Sequence, residues 1–361
     1  MLNPASPMVA ARLSAMGDVA LITGPLARWH EACGLTFIVL TRAEFVPLFA
    51  GHPAVERVIG LKKEERKGRA LYTFCRALAK EFRHLPLIDL HGVQRTRLLS
   101  LLWKGPVYRY PKQAFVRRFF LFSGGRLGRG TLLSRNVPQR YAAALAPLVP
   151  QSAAWTPQEL RPRFFPDSEE EHWASEALSG LRTLSTDSRV PLVALHPFAT
   201  HPSKTWPVQY WREFSHLLTE RHIPHFWIGQ GDASVGATTG QSDSSLSLNF
   251  INRTSLRQLI ALLARADMLV TGDSGPMHLA VGVDTPVLAL FGPTCREWGF
   301  FPSGKNDRVV QQTLNCRPCS LHGGGNKGTS PICPHAHACM TGLTPERILR
   351  ELDEMTRAAQ N

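Results

Sequence analysis

Apolar and polar positions alternate between two periods along the chain. Val9 to Leu13, Thr36 to Thr41 and Leu87 to Leu90 are short runs dominated by apolar residues, as expected of strands buried on both faces, and Val55 to Leu61 predicts another. Between them the apolar positions recur at helical spacing, predicting an amphipathic helix over Val19 to Cys33 and further helices over Ala43 to Phe49 and Arg76 to Phe82. The second half repeats the plan. Val190 to Leu195, His225 to Ile228, Phe250-Ile251, Met268 to Val270 and Val287 to Phe291 predict strands. Helices are expected over Ser168 to Leu181, Val208 to Arg221, Ser255 to Arg265, Met277 to Val283 and Leu343 to Ala359. Thr254 or Ser255 would cap the third of these, and Thr344 the last, with Pro345 at its first position. Strands alternating with helices imply parallel, doubly wound sheets, whose ligands gather at the carboxyl ends of the strands. Gly17, Asp18, His91 and Gly92 fall at such ends. The stretch from Pro147 to Pro166 is proline-bearing and weakly periodic, so it reads as a linker. The expected division is residues 1–165, residues 166–343, and a closing helix over 344–361.

At 361 residues and 43% hydrophobic content, the chain is large enough for two cores. No apolar run reaches the length of a membrane span. The N-terminus lacks a basic region followed by an apolar run and a cleavage site, so a cytoplasmic location is expected. The net charge of +13 conceals an asymmetry: residues 1–150 hold 23 Lys/Arg against 8 Asp/Glu, and the remainder 18 against 20. No acid occurs between Asp89 and Glu159, an interval with 11 basic residues. A one-signed surface of this length favours an anionic partner: nucleic acid, an anionic membrane face or a phosphorylated glycolipid. Within it, Tyr108 to Phe122 mixes aromatic and basic residues. That mixture suits a lipid-contacting segment, or equally a helix packed by Phe115, Phe119, Phe120 and Phe122.

The chemistry concentrates in Asp267 to Thr294, DMLVTGDSGPMHLAVGVDTPVLALFGPT, read as strand, tight turn, helix, strand and turn. Asp273 or Ser274 can cap the helix, Gly275 lets a phosphate approach the backbone, and His278 lies about one turn in.

This stretch resembles the lipopolysaccharide heptosyltransferases, glycosyltransferase family 9. Three more motifs stand in the family's order: Arg12-Leu-Ser-Ala-Met-Gly-Asp18, His196-Pro-Phe-Ala-Thr-His-Pro-Ser-Lys204-Thr-Trp-Pro207, and a late cysteine pattern beginning Cys316-Arg-Pro-Cys319. The resemblance implies a GT-B fold, two Rossmann-like domains facing across a cleft, with the last helix crossing back to the first domain. It implies transfer of heptose from an ADP-activated donor to the lipopolysaccharide inner core, with inversion and no catalytic metal. Asp18 matches the family's general base; as a bare residue it would more often be a first-turn helix carboxylate. Lys204 matches the clamp on the departing diphosphate, with Thr200 and Ser203 able to donate to the same oxygens. Asp273, Ser274, Gly275 and His278 complete the implied donor site, although His278 alone would more often be structural.

Outside the resemblance, Asp232 is a candidate acceptor for a ribose hydroxyl, and Arg95 and Arg97 are candidates for the anionic acceptor. His91 is the reserve base. Cys316, Cys319, Cys333 and Cys339, with His322, His335 and His337 interleaved, have spacing that fits a structural zinc site or unligated thiols. The GGGNKGTS stretch between them reads as flexible. The expected partners are a nucleotide-sugar donor, an anionic glycolipid and, peripherally, the inner membrane. A family 9 enzyme with another sugar or acceptor is the alternative. An oxidoreductase is disfavoured because Gly229-Gln-Gly231 continues to Ser234 where the dinucleotide fingerprint needs glycine. A nucleic-acid binder lacks a recognised motif.

Overall fold

A computed structural model of the chain describes residues 6–184, 190–236, 244–321, 333 and 335–360. The chain divides into two compact units: residues up to Gln113 with Arg135–Phe165, and Ala114–Ser134 with the residues from Pro166 on. The single boundary expected near 165 therefore describes only part of the division, because Ala114–Ser134 leaves the first unit for the second.

The first unit is built on five strands: β1 Met8–Ala11, β2 Phe37–Arg42, β3 Val55–Leu61, β4 Leu87–Asp89 and β5 Val107–Arg109. They lie in the order β3-β2-β1-β4-β5, and every neighbouring pair is parallel. The central strands are apolar because helices cover both faces of a parallel sheet; all of Met8 to Ala11 is buried. The long helix expected over Val19 to Cys33 is two, Met16–Ala20 and Thr23–Cys33. Ala43–Phe49 winds as a 3-10 turn around Pro47, which lacks the N–H an α-helix would use. The proline-bearing stretch is no free linker: Trp155, Leu160 and Phe164 are buried.

The second unit has six strands: β6 Val193–His196, β7 His225–Trp227, β8 Ser247–Asn249, β9 Met268–Gly272, β10 Val287–Phe291 and β11 Arg308–Gln311. Their order is β11-β10-β9-β6-β7-β8, again parallel throughout. The helix Leu256–Arg265 is capped by Ser255, whose hydroxyl accepts from Gln258 N while Gln258 returns a bond to Ser255 N. The last helix, Pro345–Gln360, packs against the helix Val208–Glu220, and Ile348, Leu349, Leu352 and Met355 enter the second unit's core. An apolar stripe of four buried residues holds it to the second unit's core.

Trp206 joins that helix to the loop after β6. It is buried, donates to the Leu343 carbonyl at 2.7 Å, and meets the rings of Tyr210, Trp211 and Phe214 edge-on. Trp206→Ala removes the indole that the other three rings meet and orphans the carbonyl. We expect a loss of about 3–5 kcal/mol, read as a lower urea midpoint for the second unit.

Candidate functional site

Each sheet reverses its strand order at one point, β1/β4 in the first unit and β6/β9 in the second. At such a point the two following loops run apart and leave a crevice at the strands' carboxyl ends.

In the second unit His196, the last residue of β6, is paired with Thr271 of β9. The loops beyond them meet. The Lys204 ammonium donates to Asp273 Oδ2 at 2.6 Å, and the Thr294 hydroxyl, from the turn after β10, donates to the same oxygen at 2.7 Å. The Lys204 and Asp273 side chains are only 14% and 12% exposed, so this pair is shielded far more than a surface bridge. Gly272 permits the approach: a Cβ there would stand 3.2 Å from the Lys204 carbonyl oxygen. Behind the pair, His196 Nδ1 lies 3.0 Å from Thr271 Oγ1 and 3.2 Å from Ser274 Oγ, and the two hydroxyls are 3.1 Å apart. Burial lowers the His196 pKa to about 3, so its ring is a neutral brace.

One sequence expectation for this site needs adjusting. Ser274 occupies the N-cap position of the helix Gly275–Val281 but makes no side-chain cap, its hydroxyl being turned to His196 and Thr271. Lys204 and Thr294 hold Asp273 Oδ2. Gly275 opens the helix and His278 is buried within it. Thr200 is exposed and Ser203 half-buried on the loop that carries Lys204. Asp232 is fully exposed beyond β7 and accepts from Ser234 N at 2.9 Å; that backbone bond and the Ser234 side chain hold its carboxyl below the usual range. Thr294 and His196 were not nominated as site residues from sequence, although one closes and the other opens a motif stretch.

In the first unit Asp18 sits in the first turn of the helix Met16–Ala20. Its carboxylate takes a 3.1 Å bond from Ala15 N, a 2.6 Å ion pair from Arg12, and a 3.4 Å bond from the Tyr141 hydroxyl. Burial alone would raise its pKa, but the Arg12 guanidinium and the Ala15 N–H outweigh it and hold the group below the usual carboxylate range. Asp18 is thus both a local cap and an ionised carboxylate at the reversal point. Arg12 is pinned in turn to the Leu90 carbonyl at 2.6 Å, across the β1/β4 seam. His91 follows β4, and its Nδ1 accepts from Leu13 N at 3.4 Å. Burial, then the charges of Arg12, Lys112 and Arg42, lower its pKa to about 3 against the opposing pull of Asp18. Asp89 Oδ1 accepts from His91 N and Gly92 N at 3.0 and 2.8 Å, closing a turn that Gly92 completes at φ 62°, a conformation glycine adopts without strain.

A basic rim surrounds this point. Arg42 ends β2, and its pKa is lowered by burial and by Arg66 and Arg95 nearby. Glu44 pairs with both Arg42 and Arg66. Lys112, beyond β5, donates to the His91 and Gly92 carbonyls at 3.2 and 3.3 Å. Arg95 donates to the Arg66 carbonyl at 3.0 Å, whereas Arg97 is exposed. Of the two nominated arginines, Arg95 therefore belongs to the rim. Arg42, Arg66 and Lys112 were missed because they lie far apart in sequence and only the strand order unites them.

The four late cysteines form no disulfide: Cys316 and Cys333 are half-buried, Cys319 exposed and Cys339 buried. Among the described residues no three His, Cys, Asp or Glu form a group able to hold a metal. His322 and the GGGNKGTS stretch lie outside the described residues. Nor, among the described residues, is any helix long and apolar enough to cross a membrane.

Two Rossmann-type units, each carrying polar chemistry at its reversal point, define the GT-B class of glycosyltransferase. The family model described as "Glycosyltransferase family 9 (heptosyltransferase)" matches residues 140–327, more than half of the chain, and the chain belongs to that family. It is 26% identical over 170 residues to a lipooligosaccharide heptosyltransferase 2 of Campylobacter jejuni, covering 46% of this chain and 51% of the relative. The chain thus spans about half the length of the first curated relatives it matches. It is 26% identical to lipopolysaccharide heptosyltransferase 1 of Pseudomonas aeruginosa, over 97% of this chain and 98% of that one. Among solved structures, ADP-heptose lipopolysaccharide heptosyltransferase II of E. coli superposes with a TM-score of 0.69 at 20% identity, covering 99% and 100% of the two chains, a likeness of fold.

The buried histidines make a test of the electrostatics. His91 and His196, both lowered to about 3, and His52 and His225, both lowered to about 4 by burial, should remain neutral from pH 8 to pH 5. Their folded pKa values lie below the unfolded value near 6.5, so the unfolded chain binds more protons as pH falls. Stability should therefore decline as pH drops below about 6.5. Imidazole NMR titration checks the first statement and melting temperature against pH the second. Ring titration near pH 6.5 at these four positions would contradict both.

Proposed function

We propose that the chain transfers a heptose from an ADP-heptose donor to an anionic glycolipid acceptor, the lipopolysaccharide inner core, with inversion and without a catalytic metal. The observation that carries this reading is that each unit has polar chemistry at its own reversal point: a carboxylate within a basic rim in one, and a lysine braced on an aspartate in the other. It is supported by family membership and by relatives named for this reaction.

Asp18 is the general base. A carboxylate so acidic cannot deprotonate a sugar hydroxyl at rest, but it accepts the proton as the oxygen attacks the anomeric carbon. Arg12, the Ala15 N–H and Tyr141 keep it ionised and fix its direction. As the new C–O bond forms, the bond to the diphosphate breaks, and ADP leaves with the electron pair. Lys204 spends one N–H on Asp273 and has two left for diphosphate oxygens. Asp273 lowers the net charge of the clamp but fixes its position, and Thr294 fixes Asp273. Thr200, Ser203 and the backbone at Gly275 add donors. A single displacement with one base inverts the anomeric centre. The basic rim, Arg95 included, receives the anionic groups of the acceptor. A family 9 enzyme with another sugar is told apart by turnover on a panel of nucleotide sugars and core oligosaccharides.

Asp18→Asn keeps the shape and loses the proton acceptor. Assayed in EDTA, it should lose about 10²–10⁴ in turnover number with ADP binding close to wild type, while its melting temperature should fall because the buried Arg12 loses its ion-pair partner. Wild-type kcat/KM should hold down to about pH 4, because Asp18 lies below the usual value of about 3.9. Near wild-type turnover in the variant sinks the assignment.

ADP should raise the melting temperature of the wild type, by an amount equivalent to about 2.7 kcal/mol at 100 times the dissociation constant. Lys204→Ala should need a markedly higher ADP concentration for the same rise. Equal protection of both proteins would remove Lys204 from the donor site.

A further inference from the structure

The segment that leaves the first unit for the second carries two apolar faces. The helix Ala114–Phe122 turns Phe120 inward, where it is buried with Leu132, Cys295 and Trp298 and meets the Trp298 ring edge-on at 5.5 Å. Its other face is bare. Phe115 is 85% exposed, Phe119 55% and Phe122 90%, at positions i, i+4 and i+7 on one side of the helix. Leu127 and Leu133 continue the face at 51% and 47%. Five of the eight large exposed apolar side chains among the described residues fall within these nineteen positions. Single exposed apolar residues are ordinary, but a contiguous patch marks a contact surface. Phe115, Phe119, Phe122 and Leu127 line an open trough of about 730 Å³ together with Arg118 and Thr131.

Charge selects the occupant. Arg118 and Arg126 are exposed beside the phenylalanines and form no ion pair with the described residues. Of the neighbouring basic residues, Arg129 has its charge offset by an acid. The Arg117 guanidinium lies over the Phe300 ring and donates to the Trp298 carbonyl, and Arg129 is held by Glu297 at 2.9 Å. The sequence supplies no acid between Asp89 and Glu159, so two copies meeting through this face would oppose like charges. A short helix with protruding phenylalanines and long cationic side chains at their flank is the composition that lies in a bilayer interface, rings among the acyl chains and guanidinium groups at the phosphates.

We propose that the outer face of the helix Ala114–Phe122, extended by Leu127 and Leu133, docks the chain onto an anionic lipid bilayer. The docking goes beyond the transfer reaction, and vesicles with neither donor nor glycolipid acceptor test it alone. Its failure would leave the proposed reaction standing, and failure of the reaction would leave the docking standing.

The full chain is floated with vesicles of phosphatidylcholine, alone or mixed with phosphatidylglycerol. We expect flotation with the mixed vesicles, little with phosphatidylcholine alone, and weakening by salt. Phe115→Ser/Phe119→Ser/Phe122→Ser should lower partitioning by about tenfold or more at unchanged melting temperature, since these rings are not packed in the core. Arg118→Glu/Arg126→Glu should abolish the preference for phosphatidylglycerol. Absence of flotation by the wild type, or equal flotation of the triple variant, overturns the proposal. So does a wild-type dimer that the triple variant converts to monomer, which would make the face a self-association surface. Tighter binding to an acidic polypeptide than to the mixed vesicles would also overturn it.

Discussion

Every strand pair in both sheets is parallel, and this constraint governs where chemistry can occur. A parallel strand must be left by a crossover, so all the carboxyl ends of a sheet open onto one edge. Side chains separated by 69 residues, such as Lys204 and Asp273, then meet because their strands are neighbours rather than because their sequence is local. The same geometry delivers Arg12 and the Leu90 carbonyl to one point across 78 residues. The Rossmann plan occurs twice, and in each case the polar cluster stands where the order reverses.

That constraint also explains what could be read from the sequence. Apolar runs and their turns were legible: Val55 to Leu61 and Val287 to Phe291 coincide with β3 and β10, and Ser255 caps its helix as its residue type suggests. β5 and β11 were not, because Val107–Arg109 and Arg308–Gln311 are edge strands whose polar residues hide the pattern. Asp18 and Lys204 were legible through motif. Arg42, Arg66 and Lys112 were not, since each owes its place to a partner distant in sequence, and the roles of Thr294 and His196 within their motifs needed the strand order. Tyr108 to Phe122 offered a packed helix or a surface one; the helix from Ala114 is both, with Phe120 inside and three phenylalanines outside.

The two clusters differ in electrostatic kind. Around Asp18 the Arg12 guanidinium keeps one carboxylate ionised, while burial, aided by neighbouring cations, depresses His91 and Arg42. Around Lys204 the charges cancel, and hydroxyls and a neutral histidine set orientation. A cationic rim suits a ligand whose anionic groups vary in place. A neutral, fixed clamp suits one group held in one position.

The excursion of Ala114–Ser134 bears on how this polypeptide can be dissected. A cut at residue 165 looks natural from the sequence, yet it would separate Phe120 and Leu132 from the Cys295 and Trp298 side chains they cover. The amino-terminal fragment would then carry a helix whose Phe120 face has nothing to bury it, and the carboxyl-terminal fragment would present an uncovered tryptophan. Neither piece would be a well-behaved soluble domain. Isolating the second Rossmann unit as a recombinant module would require grafting the 114–134 segment onto it.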